Sequence, residues 1–63
     1  MLFLETESGD LIAAKHIVRI GPLNTRRHTD RRWHDIAYCV GTEPHETTAT
    51  EQAVADFLEE ANA

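Results

Sequence analysis

Apolar and polar residues alternate in short runs over most of the chain and take up a helical spacing only near its end. Alternation with a period of two indicates β-strands. It predicts a first strand over Leu2–Thr6 and a second over Leu11–Ala14. Between them, Glu7 and Ser8 suit the centre of a type I turn, and Gly9 can adopt the left-handed conformation that closes a bulged hairpin.

The segment after this hairpin predicts a third and shorter strand. Lys15 and His16 interrupt the apolar pattern, which indicates a short bend or a bulge. Val18–Ile20 then resumes as the strand. Gly21-Pro22 is expected to end or kink it, because proline cannot donate a hydrogen bond to a sheet ladder.

Trp33–Thr42 has the clearest strand pattern in the sequence. Alternation sends half of its side chains toward the core and the other half to the opposite face. The expected core set is His34, Ile36, Tyr38 and Val40, and the opposite set is Trp33, Asp35, Ala37 and Cys39. A turn is expected at Glu43–Glu46, where Pro44 takes the favoured second position, and Glu46–Thr48 suits a short last strand.

An amphipathic helix is predicted next, starting between Thr48 and Glu51. The stretch Thr48-Ala49-Thr50-Glu51 matches a capping box, in which the threonine and glutamate side chains each satisfy a free backbone N–H. Apolar side chains then recur at helical spacing, at Val54, Phe57, Leu58 and Ala61. Glu59 and Glu60 lie near the carboxyl end, where the helix dipole disfavours anions, so the last turn is expected to fray.

Together these elements predict an α+β fold: a small antiparallel sheet of four to five short strands with one C-terminal amphipathic helix packed on one face. A helix of about three turns is too short to be stable alone in water, so it must lie on the sheet. The predicted core comprises Leu2, Leu4, Ile12, Ile17, Ile20, Ile36, Tyr38, Val40, Val54, Phe57 and Leu58. A second copy of the chain would cover the open strand edges and the other sheet face, which predicts a homodimer or a higher oligomer.

Length and composition narrow the classes of protein that fit. Residues 1–63 make a single domain, which is too small for a deep substrate cavity. No apolar run approaches the ~20 residues of a membrane span, and the N-terminal residues lack the basic leader and cleavage site of a signal peptide. Cys39 is the single cysteine, so no internal disulfide can form. We therefore expect a cytoplasmic protein that does not contact a membrane.

One segment, Asn24–Asp35, gathers most of the positive charge. Four of the six Lys/Arg residues of the chain lie in it, at Arg26, Arg27, Arg31 and Arg32. With its two aspartates the segment carries +2, and the rest of the chain carries −7, for a formal net charge of −5. We expect a basic loop that carries these arginines and Trp33 as candidate binding residues.

Three interpretations of this basic run stay open. In the first, its arginines lie in solvent and neutralise carboxylates of the same chain. In the second, they bind a protein, either an acidic partner or a second copy, since arginine and tryptophan are both enriched among interface hot spots. In the third, they bind RNA or single-stranded DNA, with arginine on phosphate and Trp33 stacked on a base. We rank nucleic acid below the other two, because acidic residues nearby would repel phosphate.

The sequence gives little support for catalysis or metal binding. The candidate metal ligands are His16, His28, His34, His45, Cys39, Asp30 and Asp35. None of them forms the closely spaced pair that is typical of a zinc site. Cys39 lacks a nucleophile signature, and Ser8 is the only serine, in a predicted turn. We therefore predict no cofactor, no metal and no enzymatic activity: the chain is expected to be a small protein-binding or self-associating module.

The order of the segments resembles one group of proteins. The opening "MLFLETESGDLIAAKHIVRI" looks like the start of small bacterial β-hairpin proteins of the flagellar-operon type. Those chains have a hairpin with a glycine-containing turn, a bend before "I–x–x–I", a further strand and a stretch resembling "ESVEEV". The matching pieces here are Leu2–Asp10, Ile17–Ile20, Asp35–Val40 and Glu51–Leu58. The resemblance implies the sheet-plus-helix layout and no function, and the Arg-rich run departs from it.

Overall fold

The computed structural model describes residues 2–63 and contains five strands and one α-helix. The elements are β1 (Phe3–Glu5), β2 (Leu11–Ala13), a 3-10 turn (Ala14–His16), β3 (Ile17–Arg26), β4 (Arg31–Val40), β5 (Glu43–Thr50) and α1 (Glu51–Ala61). All strand pairs are antiparallel. The predicted α+β class is confirmed, although the strands form a two-stranded sheet, β1-β2, and a three-stranded sheet, β3-β4-β5.

The β1-β2 hairpin closes as its sequence predicts. The Thr6 N–H donates to the Asp10 carbonyl at 2.8 Å, and Gly9 has a φ of +92°, which is the left-handed region that favours glycine. Thr6 is 5% exposed, and its hydroxyl accepts a hydrogen bond from the Asp10 N–H at 3.1 Å. The predicted bend at Lys15 and His16 is also confirmed, as the 3-10 turn before β3.

The third strand is much longer than predicted. It kinks at Gly21-Pro22, where its register against β4 shifts, and then continues to Arg26. Pro22 is tolerated because β3 lies at the edge of the sheet, and an irregular edge strand can lose a donor. At Gly21 a Cβ atom would lie 3.2 Å from the Asp35 carbonyl oxygen, so the close approach of the two strands favours glycine there.

The prediction of a basic loop over Asn24–Asp35 is therefore wrong for most of that segment. Only residues 27–30 connect β3 to β4, and the rest of the run forms the end of a long β-hairpin. The connection closes with Asp30 at a φ of +51°, a left-handed conformation that aspartate tolerates better than most residues. Consequently the backbone fixes the positions of Arg26, Arg31 and Arg32.

The prediction of a turn at Glu43–Glu46 is also wrong. The chain turns earlier, at Gly41-Thr42, with Gly41 at a φ of +64°, and β5 starts at Glu43. Pro44 pairs with Cys39 in the ladder. It fits there because it is the second residue of an edge strand, where a missing N–H is tolerated.

The helix begins at Glu51, within the predicted range, but its cap lies two residues after the predicted one. Thr50 is the N-cap, and its hydroxyl accepts a hydrogen bond from the Ala53 N–H at 3.1 Å. Thr48 lies in β5 opposite Asp35, so the predicted capping box is wrong. At the other end α1 reaches Ala61, and the Asn62 side chain donates to the Leu58 carbonyl at 2.9 Å. No basic residue lies in the last turn to complement the helix dipole.

The core lies between α1, the small hairpin and one face of the β3-β4-β5 sheet, because α1 contacts β1, β4 and β5. The buried apolar residues are Leu4, Ile12, Ile36, Ala49, Val54 and Phe57. Four other predicted core residues, Leu2, Ile17, Ile20 and Tyr38, are half-buried against them. Two core predictions are wrong: Val40, the last residue of β4, is 57% exposed, and Leu58 on α1 is 44% exposed. Ala49 was missed.

The two edges of the larger sheet differ. The backbone N–H of Glu7, in the β1-β2 turn, donates to the Thr48 carbonyl on the β5 edge at 2.9 Å. The β3 edge has no strand partner within residues 2–63. The helix in this part of the chain is not long and apolar enough to cross a membrane.

Candidate interaction surface

The predicted binding residues lie on the β3-β4 hairpin but point to different sides of it. Arg26 pairs with Arg31, and Asn24 pairs with Trp33. Because directly paired residues share a face, Arg26, Arg31 and Trp33 lie on the face opposite to Ile36. Arg32 lies on the face that α1 covers. We call the face opposite to Ile36 the open face, because α1 packs on the Ile36 side of the sheet.

Arg31 spans the open face at the Trp33 end. Its Nη2 atom donates to Glu7 Oε1 at 2.6 Å, and its Nε atom donates to Glu7 Oε2 at 3.3 Å. Its guanidinium carbon lies 4.2 Å from the centroid of the Trp33 ring, in a cation–π arrangement. The hydrogen bonds from Arg31, and then from the Thr48 side chain, lower the pKa of Glu7. The same contact with Glu7 raises the pKa of Arg31.

Arg32 makes the corresponding contact on the other side of β4. Its Nη2 and Nε atoms both lie 3.0 Å from Glu51 Oε2, in the first turn of α1. Arg31 and Arg32 thus join β4 to the small hairpin and to the helix. Half of the basic run complements carboxylates of its own chain, as the first interpretation of the sequence expects.

Arg26 and Arg27 are different, because neither forms an ion pair within residues 2–63. Both are exposed at the end of the hairpin. They border a surface groove of about 390 Å³, which Thr25 and Asp30 also line. These two arginines are the part of the predicted site that remains open to an external anion or carboxylate.

A second depression lies in the middle of the open face. It has a volume of about 210 Å³, and its lining includes Arg19, Gly21, Asp35, Ala37 and Glu46. Two of its lining residues, Gly21 and Ala37, are small. Arg19 and Glu46 pair with Ala37 from the two neighbouring strands, so they flank it on opposite sides. Both are exposed, and neither forms an ion pair within the described chain.

The alternation along β4 places Ala37 and Cys39 on the face away from the core, but no sequence pattern indicates Arg19 or Glu46 as site residues. The alternation around Ala37 was the available signal, and it gave the face correctly. The partners across the strands could not be found, because they depend on the β3 bulges and on a β5 strand that was predicted too short.

The potential metal ligands do not converge in the described part of the chain: no group of three His, Cys, Asp or Glu side chains lies close enough to hold a metal. His34 Nδ1 hydrogen-bonds to the Gly21 carbonyl at 2.8 Å. His45 stacks on Tyr38, with ring centroids 5.3 Å apart and an interplanar angle of 22°. Both of these histidines therefore have structural contacts on the core side of the sheet.

No protein-family model matches this chain, and no curated protein or solved structure matches it either. The resemblance to β-hairpin proteins of the flagellar-operon type therefore stays a prediction. The open face and the end of the hairpin are what the structure offers as a basis for a functional hypothesis.

Proposed function

We propose that this protein is a small interaction module, not an enzyme, and that it self-associates through the open face of the β3-β4-β5 sheet. The observation that carries the proposal is the one-sided packing of α1. The helix buries Ile36 and Ala49 on one face. On the other face, Trp33, Ala37 and Cys39 stay only half-buried along β4.

The Trp33 end of this face is preorganised for contact. Arg31 is fixed at once by Glu7 and by the Trp33 ring, so little side-chain freedom remains to be lost on binding. Tryptophan and arginine are the residue types most often found at the energetic centre of interfaces. Beyond them, Arg26 and Arg27 would contact carboxylates of an acidic partner at the rim.

Binding of RNA or single-stranded DNA is a second candidate, and the exposed Arg26 and Arg27 are what favour it. Two observations weigh against it. The Arg31 guanidinium covers one side of the Trp33 ring, where a base would stack. Arg31 and Arg32 are already engaged by Glu7 and Glu51, so fewer cations are left to displace counterions from phosphate.

Sedimentation analysis of Ala37→Arg tests self-association. An arginine at the centre of the open face would force a charge into any interface there and should leave the variant monomeric at concentrations where the natural chain dimerises. Ala55→Arg is the matched control, since it makes the same change at an exposed position on α1 and should not alter the oligomeric state. A natural chain that stays monomeric up to millimolar concentration would contradict the proposal.

Trp33 fluorescence tests the second candidate, because Trp33 is the only tryptophan. Titration with mixed-sequence single-stranded oligonucleotides should leave the emission unchanged if the module binds only protein. Quenching that weakens steeply with salt, and that is lost in Arg26→Ala/Arg27→Ala, would instead establish nucleic-acid binding through the hairpin end.

A further inference from the structure

The centre of the open face carries a row of three residues with opposite charges at its two ends. Arg19 on β3, Ala37 on β4 and Glu46 on β5 are directly paired across the sheet. Neighbouring strands lie about 4.8 Å apart, so the two charged residues are about equally far from Ala37 on either side. The row is therefore positive at one edge, small in the middle and negative at the other edge.

This row fits a second copy of itself. A two-fold axis parallel to β4, lying between two facing sheets above Ala37, reverses the order of the strands across the interface. It therefore brings β3 of each copy over β5 of the other. We propose that two copies pack open face to open face about such an axis, with Arg19 of each chain paired to Glu46 of the partner. The inference rests on the proposed self-association and specifies its geometry.

The other symmetric way to stack the two faces is disfavoured by charge. A two-fold axis perpendicular to the strands would keep β3 over β3 and β5 over β5. Arg19 would then oppose its own symmetry mate, and so would Glu46, which places like charges against each other twice. Within this row the charge pattern therefore favours the axis along β4, and the single like-charge contact between the two Asp35 side chains opposes it.

The side chains in the row have suitable sizes for this arrangement. Facing sheets pack about 10 Å apart, and an arginine and a glutamate that extend toward each other can span that gap. Gly21 and Ala37, which line the depression, contribute no bulk that would hold the sheets apart. The open-face side chains of β4 then face the same residues of the partner, so Cys39 lies opposite Cys39 of the partner.

The interface is small, which sets the expected affinity. A face of three strands and eight residues, the length of β5, measures roughly 26 Å by 14 Å. That footprint is below the roughly 800 Å² per partner of a standard stable interface. We therefore expect a weak dimer, and the measurements must extend to millimolar protein.

Mixing two charge-reversal variants tests the proposed geometry. Arg19→Glu alone and Glu46→Arg alone each place like charges together twice in a homodimer, and each should weaken dimerisation roughly 10- to 100-fold. A one-to-one mixture should recover dimers of near-natural affinity, because both cross-chain contacts in the heterodimer become attractive again. Pairing within one chain cannot produce this recovery.

Two further variants serve as controls. Lys15→Glu and Glu59→Arg carry the same kinds of charge change away from the open face, and both should dimerise as the natural chain does, alone or mixed. Far-UV circular dichroism verifies that each variant is folded. Asp35→Asn should tighten the dimer, because the axis along β4 brings the two Asp35 carboxylates near each other.

Cross-linking gives an independent measurement in the natural sequence. A short bis-maleimide should join the two Cys39 thiols into a covalent dimer, because they face each other between sheets whose backbones lie roughly 10 Å apart. Ala37→Arg should prevent the cross-link.

The outcomes separate the geometry from the proposed function. If the natural chain dimerises and Ala37→Arg is monomeric, but the mixed variants do not recover, self-association stands and the Arg19–Glu46 pairing is overturned. A natural chain that is monomeric throughout removes both. Recovery in the mixture together with the Cys39 cross-link supports the pairing and the axis.

Discussion

The two faces of the β3-β4-β5 sheet are built from alternate residues of the same strands, yet they differ in almost every respect. On the covered face, Ile36 and Ala49 are completely buried. On the open face, Ala37 is half-buried, and it is flanked by the exposed Arg19 and Glu46. Adjacent residues of β4 therefore differ in role: Ile36 holds the fold together, and Ala37 lies where we propose that a second copy packs.

Removing the centre of the covered face should have the largest effect. Ile36→Ala is expected to lower the free energy of unfolding by about 2–5 kcal/mol, because it deletes buried methyl groups and leaves a cavity beneath α1. Urea denaturation followed by circular dichroism measures the change. For a chain this small, whose stability is marginal, the variant is expected to be largely unfolded at room temperature.

Two controls on the same strand sharpen this result. Val40→Ala, at an exposed position, should cost about 0.5 kcal/mol or less. Ala37→Arg should also unfold close to the natural chain, because its new side chain extends into solvent from the open face. A large loss of stability in Ala37→Arg would mean that the open face is part of the core.

The next largest loss of stability is expected from removing the N-cap of α1. Thr50→Ala should destabilise the protein by about 1 kcal/mol, because the Ala53 N–H loses its acceptor. Thr50→Ser keeps a hydroxyl at the cap and should retain most of the stability, as measured by urea denaturation. A Thr50→Ala variant as stable as the natural chain would contradict the cap at Thr50.

The Glu7–Arg31 contact should give the smallest effect and a defined pH dependence. The pKa of Glu7 is lowered in the folded protein, so the contact stabilises the fold above the ordinary glutamate pKa and is lost as pH falls through the lowered value. Glu7→Gln should be slightly less stable than the natural chain near neutral pH, and the difference should vanish in acid. Glu5→Gln removes no ion pair of the described chain and should unfold close to the natural chain near neutral pH.

Local patterns in the sequence predicted the parts of the fold that depend on near neighbours. Gly9 indicated the first turn, the alternation around Ile36 gave the covered face, and the spacing of Val54 and Phe57 gave the helix stripe. The errors arose where two local signals conflicted. Pro22 and Pro44 favoured breaks, but both lie on edge strands where the ladder tolerates a missing donor.

The candidate site was harder to predict because it is assembled by long-range pairing. Glu7 and Arg31 are 24 residues apart in the chain, and their contact depends on the hairpin turn reaching the edge of β5. The density of arginines drew attention to Arg31 and Arg32, which the fold uses internally. The Arg19–Ala37–Glu46 row is scattered over three strands and has no signature in the sequence.

The hydrogen bond from the Glu7 N–H to the Thr48 carbonyl also affects whether a foreign strand can pair with this sheet. It occupies part of the β5 edge, so a foreign strand cannot add there without displacing the small hairpin. The opposite edge, β3, is irregular at two places and contains Pro22. Strand-by-strand growth into fibrils is thereby obstructed on both sides, and a concentrated solution of this protein should resist amyloid formation.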